Sequence, residues 1–165
     1  MNGRRIARWF ATLFVVALFT GIAVAQDREP AARALLAKYA GSYDTDAFLR
    51  EPALRAELEK LLEPALAHLE RNLRVRGSVD LSGSTLSVSG NAPHQGTEEE
   101  AIVCFVPIDG RVESAIYSRG TVTVYARTPV YEYLTLCIKD WITLVNSNHL
   151  DRFKQPQNVR LAQPR

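Results

Sequence analysis

At Leu73 the apolar residues of this chain change their period. Before it, Leu54, Leu58, Leu61 and Leu62 recur at the spacing of one helical face, with Glu57 and Lys60 on the other side. After it, Leu73, Val75, Gly77, Val79 and Leu81 alternate with Arg74, Arg76, Ser78 and Asp80, the two-residue period of a strand with one wet face. Helices first and strands afterwards point to an α+β domain with helices packed on one sheet.

The rest of the chain fills in that frame. Asp27 to Ala40 reads as a helix, with Asp27 as cap, Pro30 in the first turn and Gly41 as the stop. Pro52 restarts the helical pattern. Pro64 kinks or ends it, and a short turn from Ala65 to Asn72 carries Leu66, Leu69 and a surface or half-buried His68. Ser82-Gly83-Ser84 turns the chain into a second strand, where Leu86 and Val88 alternate with Thr85, Ser87 and Ser89. The run Ala101-Ile102-Val103-Cys104-Phe105-Val106 is the best central strand. Asp109-Gly110 is a hairpin turn, and Arg111 to Tyr117 is its partner. After Arg119-Gly120, Thr121 to Ala126 makes a fifth strand, rich in β-branched residues. Thr128-Pro129 then opens a long helix with Val130, Leu134, Cys137, Ile138, Trp141 and Val145 as its apolar stripe. The expected fold is a five-stranded antiparallel meander with leading helices and a C-terminal helix packed on it. His149 is expected near the helix end, in solvent.

The first residues are not part of that fold. Arg4, Arg5 and Arg8 precede an uncharged apolar run from Trp9 to Thr20, and Ala23-Val24-Ala25 gives a small-x-small cleavage pattern. Residues 1–25 therefore read as an export signal cleaved after Ala25, residues 26–150 as a single domain, and residues 151–165 as a mobile polar tail. The run is shorter than the roughly 20 residues of a spanning helix, so no membrane span is expected after cleavage. An uncleaved anchor, or secretion, is the alternative to a periplasmic address. The paired arginines leave Sec and twin-arginine export both open.

The signal also carries the apparent basicity. The chain has 20 Lys+Arg against 18 Asp+Glu; without Arg4, Arg5 and Arg8 the balance is 17 against 18, a net charge of −1. There is no basic patch interleaved with aromatics, so nucleic acid is not an expected partner. Two cysteines remain, Cys104 and Cys137. In an exported chain they read as a disulfide, with two separate buried thiols as the alternative. Cys137 lies on the helical stripe and Cys104 in the central strand. A bond between them requires the helix to cover the face that carries Ile102, Cys104 and Val106.

Catalytic patterns are missing. The chain has no Gly-x-Ser-x-Gly elbow, no phosphate loop and no cysteine–histidine cluster at metal spacing. No cofactor, no metal and no enzymatic activity are expected; an unrecognised hydrolase is the remote alternative. Interest falls instead on the polar stretch Ser89 to Glu100, between two strand patterns, because loops on rigid scaffolds often carry function. It holds Asn91, Pro93, His94, Gln95 and Gly96, then Glu98, Glu99 and Glu100. One reading is a loop histidine bonded to nearby backbone. The other is an exposed imidazole, held between Pro93 and Gly96, that enters a partner's cleft and hydrogen-bonds acidic groups there, more strongly when protonated. The three glutamates are either a solvated loop edge or an acidic rim that steers a cationic partner.

The order of elements and this loop resemble the inhibitor-of-vertebrate-lysozyme (Ivy) family. The family's inhibitory loop reads Cys-Lys-Pro-His-Asp-Cys; here the same places read Asn91-Ala92-Pro93-His94-Gln95-Gly96. Pro93 and His94 match. Asn91 and Gly96 stand where the family has cysteines, and Gln95 replaces the acidic residue. The resemblance spans roughly Phe48 to Tyr125. It implies an exported bacterial α+β protein whose loop blocks a lysozyme cleft, with lysozyme or another muramidase as the protein partner. The alternative is an assembly module that binds another envelope protein through its sheet or C-terminal helix, with Tyr117, Tyr125, Tyr131 and Tyr133 as contacts. Oligomeric state is left open.

Overall fold

The computed structural model describes residues 28–148 and 158–162. The predicted export signal, the predicted Asp27 cap, His149 and most of the 151–165 stretch lie outside the described residues.

Four helices lead. Helix α1 (Arg28–Tyr39) stops at Gly41, whose φ of 73° suits glycine. Helix α2 (Thr45–Leu49) starts where the Asp44 carboxylate accepts the Ala47 N–H at 3.0 Å. Helix α3 (Pro52–Leu62) buries Leu54, Leu58, Leu61 and Leu62, the four residues that its spacing predicts. Helix α4 (Leu66–Asn72) follows Pro64 and buries Leu69. The strands are β1 (Val75–Arg76), β2 (Asp80–Ser82), β3 (Thr85–Asn91), β4 (Glu99–Val106), β5 (Arg111–Ser118), β6 (Thr121–Tyr125) and β7 (Val159–Ala162), with helix α5 (Leu136–Ser147) between β6 and β7.

The fold is α+β as predicted, but among the described residues the sheet has seven strands, not five. Its order is β1-β3-β4-β5-β6-β7, with β2 also on β3. Strands β3 to β6 are four of the five strands of the predicted antiparallel meander. The single strand predicted from Leu73 to Leu81 is two short pieces. Leu73 closes α4 and is buried there, while Val75 and Leu81 are largely exposed. Between the pieces the backbone leaves the sheet: Val79 bonds Ser42 O and Gly41 N, both at 2.8 Å. Alternation was present there, but tertiary contacts with the loop after α1 broke the strand.

The second difference is β7, which pairs with β6 in parallel. It comes from the stretch read as a mobile polar tail. Val159 and Leu161 pack against the core under α5. Asn158 exchanges amide hydrogen bonds with Asn146 of α5, at 3.1 and 2.8 Å, and its carbonyl accepts the Val122 N–H at 3.0 Å. The third difference is the start of the closing helix. The chain makes one 3₁₀ turn at Tyr131–Tyr133, and α5 begins only at Leu136. Thr135 caps it. The Thr135 N–H and hydroxyl both donate to the buried Glu113 carboxylate, at 2.9 and 2.6 Å. Val130 therefore leaves the apolar stripe, and Leu134, Ile138, Trp141, Ile142 and Val145 carry it.

Helices cover both faces of the sheet. Residues Ala101, Val103 and Phe105 face the core built with Phe48, Leu54, Leu58, Leu62 and Leu69. Residues Ile102 and Cys104 face the core under α5. That is why β4 reads as one unbroken apolar run: burial on both sides removes the alternation. Cys104 and Cys137 form a disulfide, with 6.3 Å between their Cα atoms; of the two readings of the cysteine pair it is the bonded one, and it staples α5 to the sheet.

Candidate functional site

The loop is shorter than the sequence suggests. Asn91 pairs with Glu100 and Gly90 with Ala101, so β3 and β4 run on and only Ala92 to Glu98 remains outside the ladder. Ala92 is buried at its foot; residues 93–98 are exposed.

Two turns build it. The Gln95 N–H donates to Ala92 O at 3.1 Å, closing a four-residue turn around Pro93 and His94. Proline fixes a φ near −65° at its own position, and His94 follows at φ 60°. Positive φ at the third residue is the mark of a type II turn, a place that glycine or asparagine usually takes. Holding histidine there costs on the order of 1 kcal/mol. The N–H groups of Glu98 and Glu99 then both donate to Gln95 O, at 3.2 and 3.0 Å. At the base, Asn91 Nδ2 donates to the Ala92 carbonyl at 2.8 Å. A Cβ built on Gly96 would stand 3.9 Å from Asn91 Cγ, so these two residues face each other across the loop. The β5–β6 turn leans on the far side, where the Arg119 N–H donates to Glu98 O at 3.2 Å.

The three glutamates part company. Glu98 is exposed, Glu100 is half-buried and Glu99 is buried. They do not form one outward acidic rim. Glu99 Oε2 receives His68 Nε2 at 2.8 Å, Arg71 Nη2 at 2.9 Å and Asn72 Nδ2 at 3.1 Å; Glu99 Oε1 receives the Ser118 hydroxyl at 2.6 Å. Burial pushes the Glu99 carboxyl up. Hydrogen bonds from Ser118, His68 and Asn72 outweigh that and hold it down at about 2. His68, read as a surface or half-buried helix residue, is half-buried on α4, but its bond to Glu99 was missed, as were Arg71, Asn72 and Ser118. A signal did exist. Counting back by twos from Phe105 through Val103 and Ala101 reaches Glu99, which places it on the inward face of β4.

The remaining candidates sort quickly. Tyr117 is buried, and burial pushes the hydroxyls of Tyr125 and Tyr131 up. Only Tyr133 of the four proposed contacts is exposed. A groove of about 630 Å³ runs between α2, α3 and α4, with Leu49, Leu66 and Leu69 in its lining and Arg55 held by Glu59 and Glu70 at 2.7 and 2.6 Å. Glu99 and His68 do not line it. A carboxylate held at about 2 is also poorly matched to proton transfer at neutral pH. Among the described residues no cluster of three His, Cys, Asp or Glu is placed to hold a metal, and no helix is long and apolar enough to cross a membrane.

A family model described as inhibitor of vertebrate lysozyme (Ivy) matches residues 53–143, more than half of the chain. The match runs past Tyr125, where the resemblance read from sequence ends, and into α5. No curated protein and no solved structure matches.

Proposed function

The chain belongs to the inhibitor-of-vertebrate-lysozyme (Ivy) family, and from that premise we propose that it blocks a lysozyme-type muramidase by inserting the Ala92–Glu98 loop into the enzyme's cleft. The family is one of inhibitors, not enzymes. The observation that carries the loop reading is the His94 turn: an exposed imidazole at φ 60°, presented by Pro93 between two central strands. Backbone strain kept at an exposed tip is a common mark of a site where geometry serves binding. Glycoside hydrolases of this kind work with a pair of carboxylates flanking the scissile bond. An imidazole N–H brought between them finds strong acceptors. Loop residues 93–98 surround it with polar groups that can bond the cleft walls. The disulfide suits an oxidising compartment, and with the Arg4–Ala25 signal pattern it supports a periplasmic address.

The test is titration of the mature chain, Gln26 to Arg165, into muramidase assays with several lysozyme types. Wild type should inhibit saturably, and His94→Ala should weaken inhibition at least about tenfold, or ~1.4 kcal/mol, with an unchanged fold. Equal inhibition by both proteins would remove His94 from the mechanism. No inhibition at micromolar protein would reduce the family match to shared fold. The second reading, an assembly module, rests on Tyr133 and Leu136, which are 71% and 72% exposed near the start of α5. On the loop mechanism, Leu136→Glu leaves inhibition untouched.

A further inference from the structure

We infer that Glu99 is the positioning residue of the loop, the group through which α4 and β5 fix the His94 turn in the orientation a partner meets. Its side chain gathers His68, Arg71 and Asn72 from one helix and Ser118 from the neighbouring strand, all within 3.1 Å. Its backbone closes the loop. The Glu99 N–H donates to Gln95 O at 3.0 Å, and the Glu99 carbonyl accepts the Ala92 N–H at 2.9 Å. One residue thus ties the anchor to both limbs of the loop. Asn72 extends the anchor to the next residue by donating to Glu100 O at 3.3 Å. No covalent link crosses the loop, because the two cysteines are bonded to each other elsewhere on β4 and α5. A loop left free in the unbound protein must be ordered on binding, at an entropic cost, whereas one already held binds tighter through the same contacts. The Glu99 cluster supplies that holding.

The inhibition arm of the test rests on the proposed function; the arm that reads loop order does not. Amide hydrogen exchange is measured on the full mature chain, wild type beside Glu99→Gln. Glutamine keeps the shape but loses the charge, and it offers one acceptor oxygen to donors that now bond two. The amides of Gln95 and Glu98 should exchange at least about tenfold faster in the variant, while ladder amides such as Val103 and Ala115 keep their wild-type rates. Lysozyme inhibition should weaken by a similar factor. Adding Asn91→Cys and Gly96→Cys, then oxidising, links the two limbs where they face each other. It should restore slow exchange and inhibition to Glu99→Gln, a rescue that a general packing role for Glu99 would not show. Unchanged loop exchange in Glu99→Gln overturns the inference. Loss of protection across the whole sheet moves the same comparison to Ser118→Ala, which removes one donor, with the same two outcomes. A wild type that inhibits no lysozyme counts against the proposed function alone, and the exchange rates then decide the role of Glu99.

Discussion

Strand β4 is anchored at two places by different chemistry. At Cys104 it is bonded covalently to α5; at Glu99 it is held by hydrogen bonds from α4 and β5. The two positions are five residues apart. An odd separation puts them on opposite faces of the sheet. The covalent anchor fixes architecture, and Thr135 on Glu113 supports it at the start of the same helix. The hydrogen-bonded anchor fixes a loop. The difference teaches where each kind of restraint acts. A disulfide works largely by restricting the unfolded chain, over the 33 positions it spans. A satisfied buried carboxylate works locally in the folded state, and its strength depends on pH and on each donor.

The largest effect should come from the covalent side. Cys104→Ala with Cys137→Ala, or reduction, should cost about 3–4 kcal/mol in urea unfolding. The loop amides should keep their protection in whatever fraction stays folded. If the loop loosens first, the two anchors are not independent.

Next comes Glu99. Its carboxyl is lower in the folded state, about 2 against 4.5. The stabilisation is therefore fully present above about pH 4.5 and is lost as pH falls toward 2. Against Glu99→Gln, wild type should gain up to ~3 kcal/mol near neutrality, and the gap should close in acid. A gap that is flat from pH 7 to pH 2 would remove the carboxylate from this anchor.

Gly90, just below the loop, sharpens the comparison further. A Cβ there would overlap the Val75 carbonyl oxygen and stand 2.9 Å from the Arg76 Cβ. Gly90→Ala should cost roughly 1–3 kcal/mol and detach β1 from β3, leaving α5 and its disulfide unmoved. Chemical shifts of the two regions would tell them apart. The smallest effect has the opposite sign. His94→Gly relieves the positive φ and should stabilise the fold by up to ~1 kcal/mol, while inhibition is lost. A stabilised variant that still inhibits would break the link between the turn and function.

Much of this was legible residue by residue. The helix at Leu54–Leu62 followed from spacing, and the meander from turns and alternation. The Cys104–Cys137 bond was one of two readings of a cysteine pair in an exported chain, and its consequence, a helix laid on the face of β4 that carries Cys104, followed from one cysteine on a helical stripe and one in a strand. The Pro93-His94 tip could be found as well, because Pro-His between two strand patterns is a local signal. The anchor beneath it was not found. Glu98-Glu99-Glu100 looks like one solvated run, and only the register of β4 turns Glu99 inward while leaving Glu98 out.

What the sequence by itself determined are the properties carried by neighbours along the chain: period, caps, turns, and which face of each element is apolar. The tertiary structure alone decided what covers those faces. It laid the leading helices and α5 on opposite sides of the sheet. It split the Leu73–Leu81 pattern against the loop after α1, and brought Val159–Ala162 back beside β6 in parallel. It also assembled His68, Arg71, Asn72 and Ser118 around Glu99, across 19 to 31 positions of chain. Periodicity reports that a surface must be buried; only the closure of distant segments, offset against their entropy, selects the partner that buries it.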